Sequence, residues 1–342
     1  QFGLLSGFAI STTFDNLVIK DAVINNEYSY VTPLGVIAGM ASAETTVTDC
    51  YINNATVNTN SRVVGGVVGE MRTSSLVSST AVANSHLTAN GELGAITGII
   101  GTGCKVSDCS VSATELTANN FLGGVAGRCG VSSSRGIIER CVVSATLKCP
   151  SLTDNADNVA ACAVGGIAGY VEPDWQNGGL GMISGNVLYE CRLKSQNNNF
   201  YYGPELRIAG CTINDEDDSR VETGLNQNYQ KPFDLDGAAV PTDYEANSVY
   251  GKILNPWEAP ALGFWTSLGY QFGDSSVAPW NYAENNRPYL FIETGSPISG
   301  ISTVAPTGKP SMMNGIYTID GRRVENTSKS GLYIINGKKV IR

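Results

Sequence analysis

One histidine, His86, stands in a chain of 342 residues, and its scarcity bounds the chemistry available. A zinc peptidase needs a second histidine in H-E-x-x-H. A serine triad needs a strained G-x-S-x-G elbow beside the imidazole. Neither pattern is present, so the sequence offers no catalytic residues. The nine cysteines contain no C-x2-C pair, and Cys104 and Cys109 with a single remote histidine make a poor zinc set. "VGGIAGY" (Val164–Tyr170) has the glycine density of a phosphate loop. It lacks a following Lys-Ser or Lys-Thr, and Pro173, Gly178 and Gly179 oppose the helix such a loop requires. Acids are sparse before residue 214, and Asp49 and Asp108 recur at matching places as turn or strand-edge residues. "NDEDDS" (Asn214–Ser219) offers Asp215, Asp217 and Asp218 as weak calcium ligands, since hard cations favour clustered carboxylates; a solvated loop is the plainer reading. Trp175, Phe200, Tyr201 and Tyr202 lie in insertions and are the weak ligand-binding candidates, as a stacking platform for a sugar or as local packing. No metal and no cofactor is expected.

These residues are carried by a repeat. The pattern G-x-[LIV]-x-G occurs six times, closing at Gly7, Gly39, Gly69, Gly98, Gly127 and Gly169, and the intervals are 32, 30, 29, 29 and 42 residues. A second, alternating segment repeats with it: "DCYINNATV" from Asp49, "STAVANSHL" from Ser79, "DCSVSATEL" from Asp108 and "RCVVSATLK" from Arg140. Apolar-polar alternation of this kind marks short half-buried strands, and the Asn, Ser and Gly between them mark turns. A fixed period near 30 residues marks stacked coils that bury their apolar faces against one another. The expected fold is therefore all-β, a parallel solenoid of about six rungs. The glycines would serve close backbone approach or positive φ at a coil corner, with Ile167 pointing inward. Cys50, Cys109, Cys141 and Cys191 would share one column with Thr80, as free, buried, inert thiols. A bridge among Cys104, Cys129, Cys149 and Cys162 stays open. His86 aligns with Thr56 and Glu115 and should face solvent.

The whole unit, shown by "VGGVVGEMRTSSLVSSTAVANSHLTANGELGAITG" (Val64–Gly98), resembles GLUG-motif repeats. These are found in bacterial surface proteins, including adhesins and proteins labelled immunoglobulin A peptidases. The resemblance covers roughly residues 3–215 and implies a right-handed parallel β-helix. "WNYAENNRPYLFIE" (Trp280–Glu293) is similar to endings that follow such arrays in Bacteroidetes-type surface proteins. Residues 216–296, which include Trp257, Trp265 and Trp280, are then expected to form an irregular aromatic cap. Residues 297–310 read as a linker. Residues 311–342 alternate in strand-like runs around Asp320-Gly321 and Asn336-Gly337, dipeptides that suit hairpin turns. This small β unit resembles a C-terminal sorting tail, which implies export through a removed signal peptide and display at the outer surface.

The net charge of −9 opposes nucleic-acid binding, although Gly308–Arg342 carries seven basic residues against Asp320 and Glu325. No apolar run is long enough for a transmembrane segment. The expected function is a non-catalytic adhesion or binding module, monomeric, whose partner is a host or microbial surface protein or glycan. The alternatives are a carbohydrate-binding or polysaccharide-degrading β-helix protein, or an accessory repeat region of a larger immunoglobulin A peptidase-like protein.

Overall fold

A computed structural model describes residues 1–28, 32–131, 135–150, 163–174, 178–179, 181–194, 200–201, 206–210, 221–232, 244–294, 316–318, 323–324, 332–335 and 338–341. The chain divides into two compact units, Gln1–Ser299 and Gly300–Arg342. About 50% of the protein is strand and 5% helix.

The first unit is a parallel β-solenoid whose coils contribute a strand to each of four sheets. Sheet 1 stacks Leu34–Gly35, Val63–Gly65, Glu92–Gly94, Phe121–Gly123 and Ala163–Gly165. Sheet 2 stacks Ser6–Ile10, Ala38–Ser42, Val68–Met71, Thr97–Ile100, Ala126–Cys129 and Ala168–Val171. Sheet 3 runs from Thr13–Asp15 to Leu225–Asn226, and sheet 4 from Val18–Lys20 to Lys252–Ile253. The six rungs expected become about four turns. The turns with a strand in every sheet and no strand-bearing insertion are residues 34–59, 63–88, 92–117 and 121–148. The Gly3–Gly7 coil reaches sheet 1 only through the isolated bridge Phe2–Leu34, and the Gly165–Gly169 coil is interrupted by the antiparallel pair Pro173–Asp174 and Gly178–Gly179.

Glycine at the opening corner is required by space. A Cβ on Gly169 would lie 2.5 Å from the Leu122 nitrogen and 2.7 Å from the Gly127 carbonyl oxygen, both backbone atoms of the coil before it. None of the six closing glycines has positive φ. Ile167 and Ala168 beside it are fully buried. The left-handed conformation appears instead at non-glycine corners: Asp49, Ser79, Asp108 and Arg140 have φ of 50°, 47°, 52° and 51°. Asp adopts this region more readily than most residues.

The corner between sheets 3 and 4 carries the thiol column. Backbone hydrogen bonds run from Ala81 to Cys50, Ser110 to Thr80, Val142 to Cys109, Val187 to Cys141, Tyr229 to Asn186 and Lys252 to Asn228. Leu17, bonded by the Tyr51 amide in the same way, opens the column, which continues through Cys50, Thr80, Cys109, Cys141, Asn186 and Asn228. Cys191 does not belong to it. Arg192 pairs with Thr146, so Cys191 follows Ala145 at the next corner. The insertion after Tyr170 displaced the apparent spacing, and asparagine hid the true continuation. From Cys50 on, the column residues are donors as well as small buried groups. Cys50 Sγ donates to the Thr48 carbonyl at 3.0 Å, Thr80 Oγ1 to Ser78 at 2.8 Å and Cys109 Sγ to Ser107 at 3.2 Å. Each bond spans the left-handed corner residue, which explains why threonine and cysteine interchange. Asn186 accepts from the Cys141 amide at 2.9 Å and donates to Asn228 at 3.1 Å, extending the ladder.

Cys50, Cys104, Cys109, Cys129, Cys141 and Cys191 are free and buried. Burial pushes the thiols of Cys50, Cys129 and Cys191 up to about 12, which leaves them protonated and unreactive at neutral pH. Cys149 is disulfide-bonded, and its partner lies outside the described residues.

Residues 221–294 do two things. Leu225–Asn226 and Tyr229–Lys231 extend sheets 3 and 4, and Lys252–Ile253 adds another strand to sheet 4. The chain then turns back along the outer face of sheet 4. Helix α1 (Leu262–Ser267) and residues up to Ile292 pack on Tyr51, Ala81, Ala83, Val142, Val187 and Tyr189. Trp265 and Trp280 are wholly buried there. Tyr270 Oη donates to the Cys141 carbonyl at 3.2 Å, Trp280 Nε1 to Asp108 Oδ1 at 3.3 Å and Arg287 Nη1 to Ser110 Oγ at 3.0 Å. The aromatic segment thus lengthens sheets 3 and 4 and braces the side of the stack.

The second unit is an antiparallel sheet in the order Arg323–Val324, Ile316–Thr318, Leu332–Ile335, Lys338–Ile341. The linker 297–310 and both predicted hairpin dipeptides lie outside the described residues.

Candidate functional site

The sequence candidates do not assemble into a described site. Trp175, Tyr202, Asp215, Asp217 and Asp218 lie outside the described residues. The backbone of Phe200–Tyr201 pairs antiparallel with Leu193 and Lys194. His86 is exposed, in register with Thr56 and Glu115 as the alignment predicts. Among the described residues, no group of three or more His, Cys, Asp or Glu side chains could hold a metal ion. Among the described residues, no helix is long and apolar enough to cross a membrane.

Two clefts lie on the flank of the solenoid and share one residue, Glu190. The first, about 390 Å³, follows the outward column of sheet 4 past His86, Glu115, Thr146 and Arg192. These four residues come from four successive coils and stand side by side because Glu115 pairs with both His86 and Thr146, and Thr146 with Arg192. An ion pair between Lys148 and Glu115 at 2.6 Å fixes one wall. The second cleft, about 530 Å³, opens where the last coil meets the returning segment and is lined by Tyr189, Glu190, Lys231, Trp257, Glu258 and Asn285, among others.

The wall between the clefts is rigid. Glu190 occupies a left-handed corner with φ 58°, and its amide donates to the Lys231 carbonyl at 2.7 Å. Its carboxylate accepts from Lys231 Nζ at 2.7 Å, and that ammonium also donates to the Pro256 carbonyl at 3.0 Å. The same nitrogen lies 4.9 Å above the Tyr189 ring. Lys231 is 5% exposed, so its charge is compensated by a carboxylate, a carbonyl and a ring face together. Burial, and then Glu190, pushes the Tyr189 hydroxyl up to about 12. It is a neutral group throughout the physiological range.

A third cluster lies at the corner of sheets 1 and 2. Glu92 is 2% exposed, and burial raises its carboxyl pKa against the opposing pull of Arg128 and Arg62. Arg128 bonds Glu172 at 2.7 Å and stands 3.8 Å from Glu92. The guanidinium also lies 5.4 Å from the centre of the Tyr170 ring, which stacks on Phe121. Perturbed carboxylates of this kind occur in functional sites and in structural ion networks. Here the charged groups come from three successive coils and face one another, so the cluster ties the coils together.

Comparison with known proteins finds no match: no family model, no curated protein and no solved structure. The geometry on the flank therefore carries the functional argument.

The sequence did not point to the second cleft. It forms because residues 255–259 and 285 are carried back beside coil residues 189–190 by a segment with no periodicity. One signal was present. The outward positions Ala81, Ala83 and Ser110 are small where a solvated strand face would carry larger polar groups, and they lie beneath the returning segment.

Proposed function

We propose that this protein is a non-catalytic binding module of an exported, surface-associated protein, and that it engages a polar surface ligand along the flank of the solenoid. The observation that supports this reading is the pair of open clefts sharing the Glu190–Lys231 wall. Their side chains come from hydrogen-bonded coils and a braced returning segment, so contact orders few groups, and the entropic cost of association is small. Open, polar, shallow surfaces of this kind suit recognition of an extended glycan or protein surface. The resemblance of the repeats to GLUG arrays, and of the tail to sorting domains, supports export and surface display.

The test is an array of immobilised glycans and surface proteins probed with the full chain, alongside a turnover assay on the same glycans. Retention of a specific ligand without chemical change supports the reading. Cleavage of any glycan, abolished by replacing flank carboxylates, would overturn it in favour of a polysaccharide-acting enzyme.

A further inference from the structure

We infer that the second cleft binds a neutral pyranose, held by stacking on Trp257. This rests on the binding-module reading and assigns a ligand class to one of its two clefts. Trp265 and Trp280, from the same segment, are fully buried, whereas Trp257 is 49% exposed and lines the cleft. Its backbone is pinned: its amide donates to Asn255 Oδ1 at 3.0 Å, and the preceding Pro256 carbonyl is held by Lys231. A half-exposed indole on a held backbone brings apolar aromatic surface to the cleft. A pyranose has a complementary apolar C–H face, and stacking the two removes both from water.

The polar groups around the indole select hydroxyls. Glu190 and Glu258 supply acceptors, and the Asn285 amide both donates and accepts. Among the described residues, Lys231 is the one cation lining the cleft, and it is committed to Glu190, the Pro256 carbonyl and the Tyr189 ring. A uronic acid or sialic acid would meet Glu258 and the already paired Glu190, with no uncommitted cation among the described lining residues, so acidic sugars are disfavoured. The cleft volume of about 530 Å³ lies within the roughly 300–1,000 Å³ of small-ligand sites.

The experiment titrates the full chain with neutral mono- and disaccharides and with matched uronic-acid and sialic-acid oligosaccharides, read by calorimetry and tryptophan fluorescence. A neutral sugar is expected to bind at least tenfold more tightly than its acidic counterpart and to perturb the fluorescence of the exposed indole. Trp257→Ala is expected to weaken binding at least tenfold with an unchanged melting temperature, and Trp257→Phe to retain part of it. Asn285→Asp, tolerated at its left-handed φ of 60°, is expected to weaken binding while preserving the fold. Val277→Ala, at an exposed position outside the cleft lining, serves as the control. Sugar binding unchanged in both Trp257→Ala and Asn285→Asp would overturn this assignment and leave the binding-module reading intact. A preference for acidic sugars would overturn the ligand class. Failure of every saccharide would also overturn it, and protein ligands on the array then decide the broader reading separately.

Discussion

Asp49 combines two properties that a corner residue rarely holds together: a left-handed backbone and a buried carboxyl, 5% exposed, with Oδ1 unbonded. Burial first, and then the neighbouring Asp15, raises its pKa from the usual 3.8 to about 6. The sign follows from linkage. A carboxyl that binds its proton more tightly when folded contributes stability below its unfolded pKa, and that contribution is lost as pH rises through the folded value. Asn keeps the left-handed conformation and cannot ionise. Asp49→Asn is therefore expected to stabilise the protein at pH 7 by about 1–3 kcal/mol, since each pKa unit corresponds to about 1.4 kcal/mol. The difference should vanish near pH 3, and urea unfolding at the two pH values checks it. The identity of Asp49 as a turn residue was legible in the sequence from its recurrence with Asp108. Its raised affinity for a proton was not, because that depends on coil packing and on Asp15 across the coil boundary.

At the scale of the coil, the glycine corner and the donor column are the two devices that the repeat preserves. Gly169→Val places a branched side chain where backbone of the preceding coil already stands, and backbone cannot move aside as a flexible side chain can. Overpacking costs typically about 1–3 kcal/mol and more where relief is blocked, so a loss of at least about 3 kcal/mol is expected. Sugar binding per folded molecule should be unchanged; loss of binding at an unchanged melting temperature would contradict a purely structural role. Period and alternation made the coils, the inward Ile167 and the outward His86 readable before any coordinates. The same counting failed at Cys191 because the insertion after Tyr170 displaced the spacing and asparagine was not counted beside cysteine and threonine. Cysteine and threonine bond the carbonyl two residues back across the corner, whereas Asn186 and Asn228 donate to the Ile138 and Ile183 carbonyls of the preceding coil. A search for small donors two residues past a strand end, in place of cysteines, would have found Asn186 and Asn228.

At the scale of the molecule, the returning segment couples coils far apart along the stack. Its buried cluster reaches from Tyr51 in the 34–59 turn to Val187 and Tyr189 near the end. Trp280 sits in the middle of that cluster against Tyr270, 4.9 Å between ring centres, and is bonded to Asp108. Trp280→Ala removes a fully buried indole, a change that costs about 3–5 kcal/mol. Proteolysis is expected to cut residues 262–294 first in this variant and to leave the coils intact; simultaneous digestion of both would mean that the brace and the stack cannot separate. Aromatic density marked this segment in the sequence, but the face it covers follows from tertiary packing, which periodicity does not encode.

The brace has a mechanical consequence. Hydrogen bonds between coils run along the solenoid axis, so a pull from one end would load them in series and peel coils away one after another. Residues 262–292 lie across several coils at once and anchor at Asp108, Ser110 and Cys141. They act as a strap under shear, sharing the load among coils that would otherwise yield singly, and a molecule stretched by its ligand would hold until the strap detached.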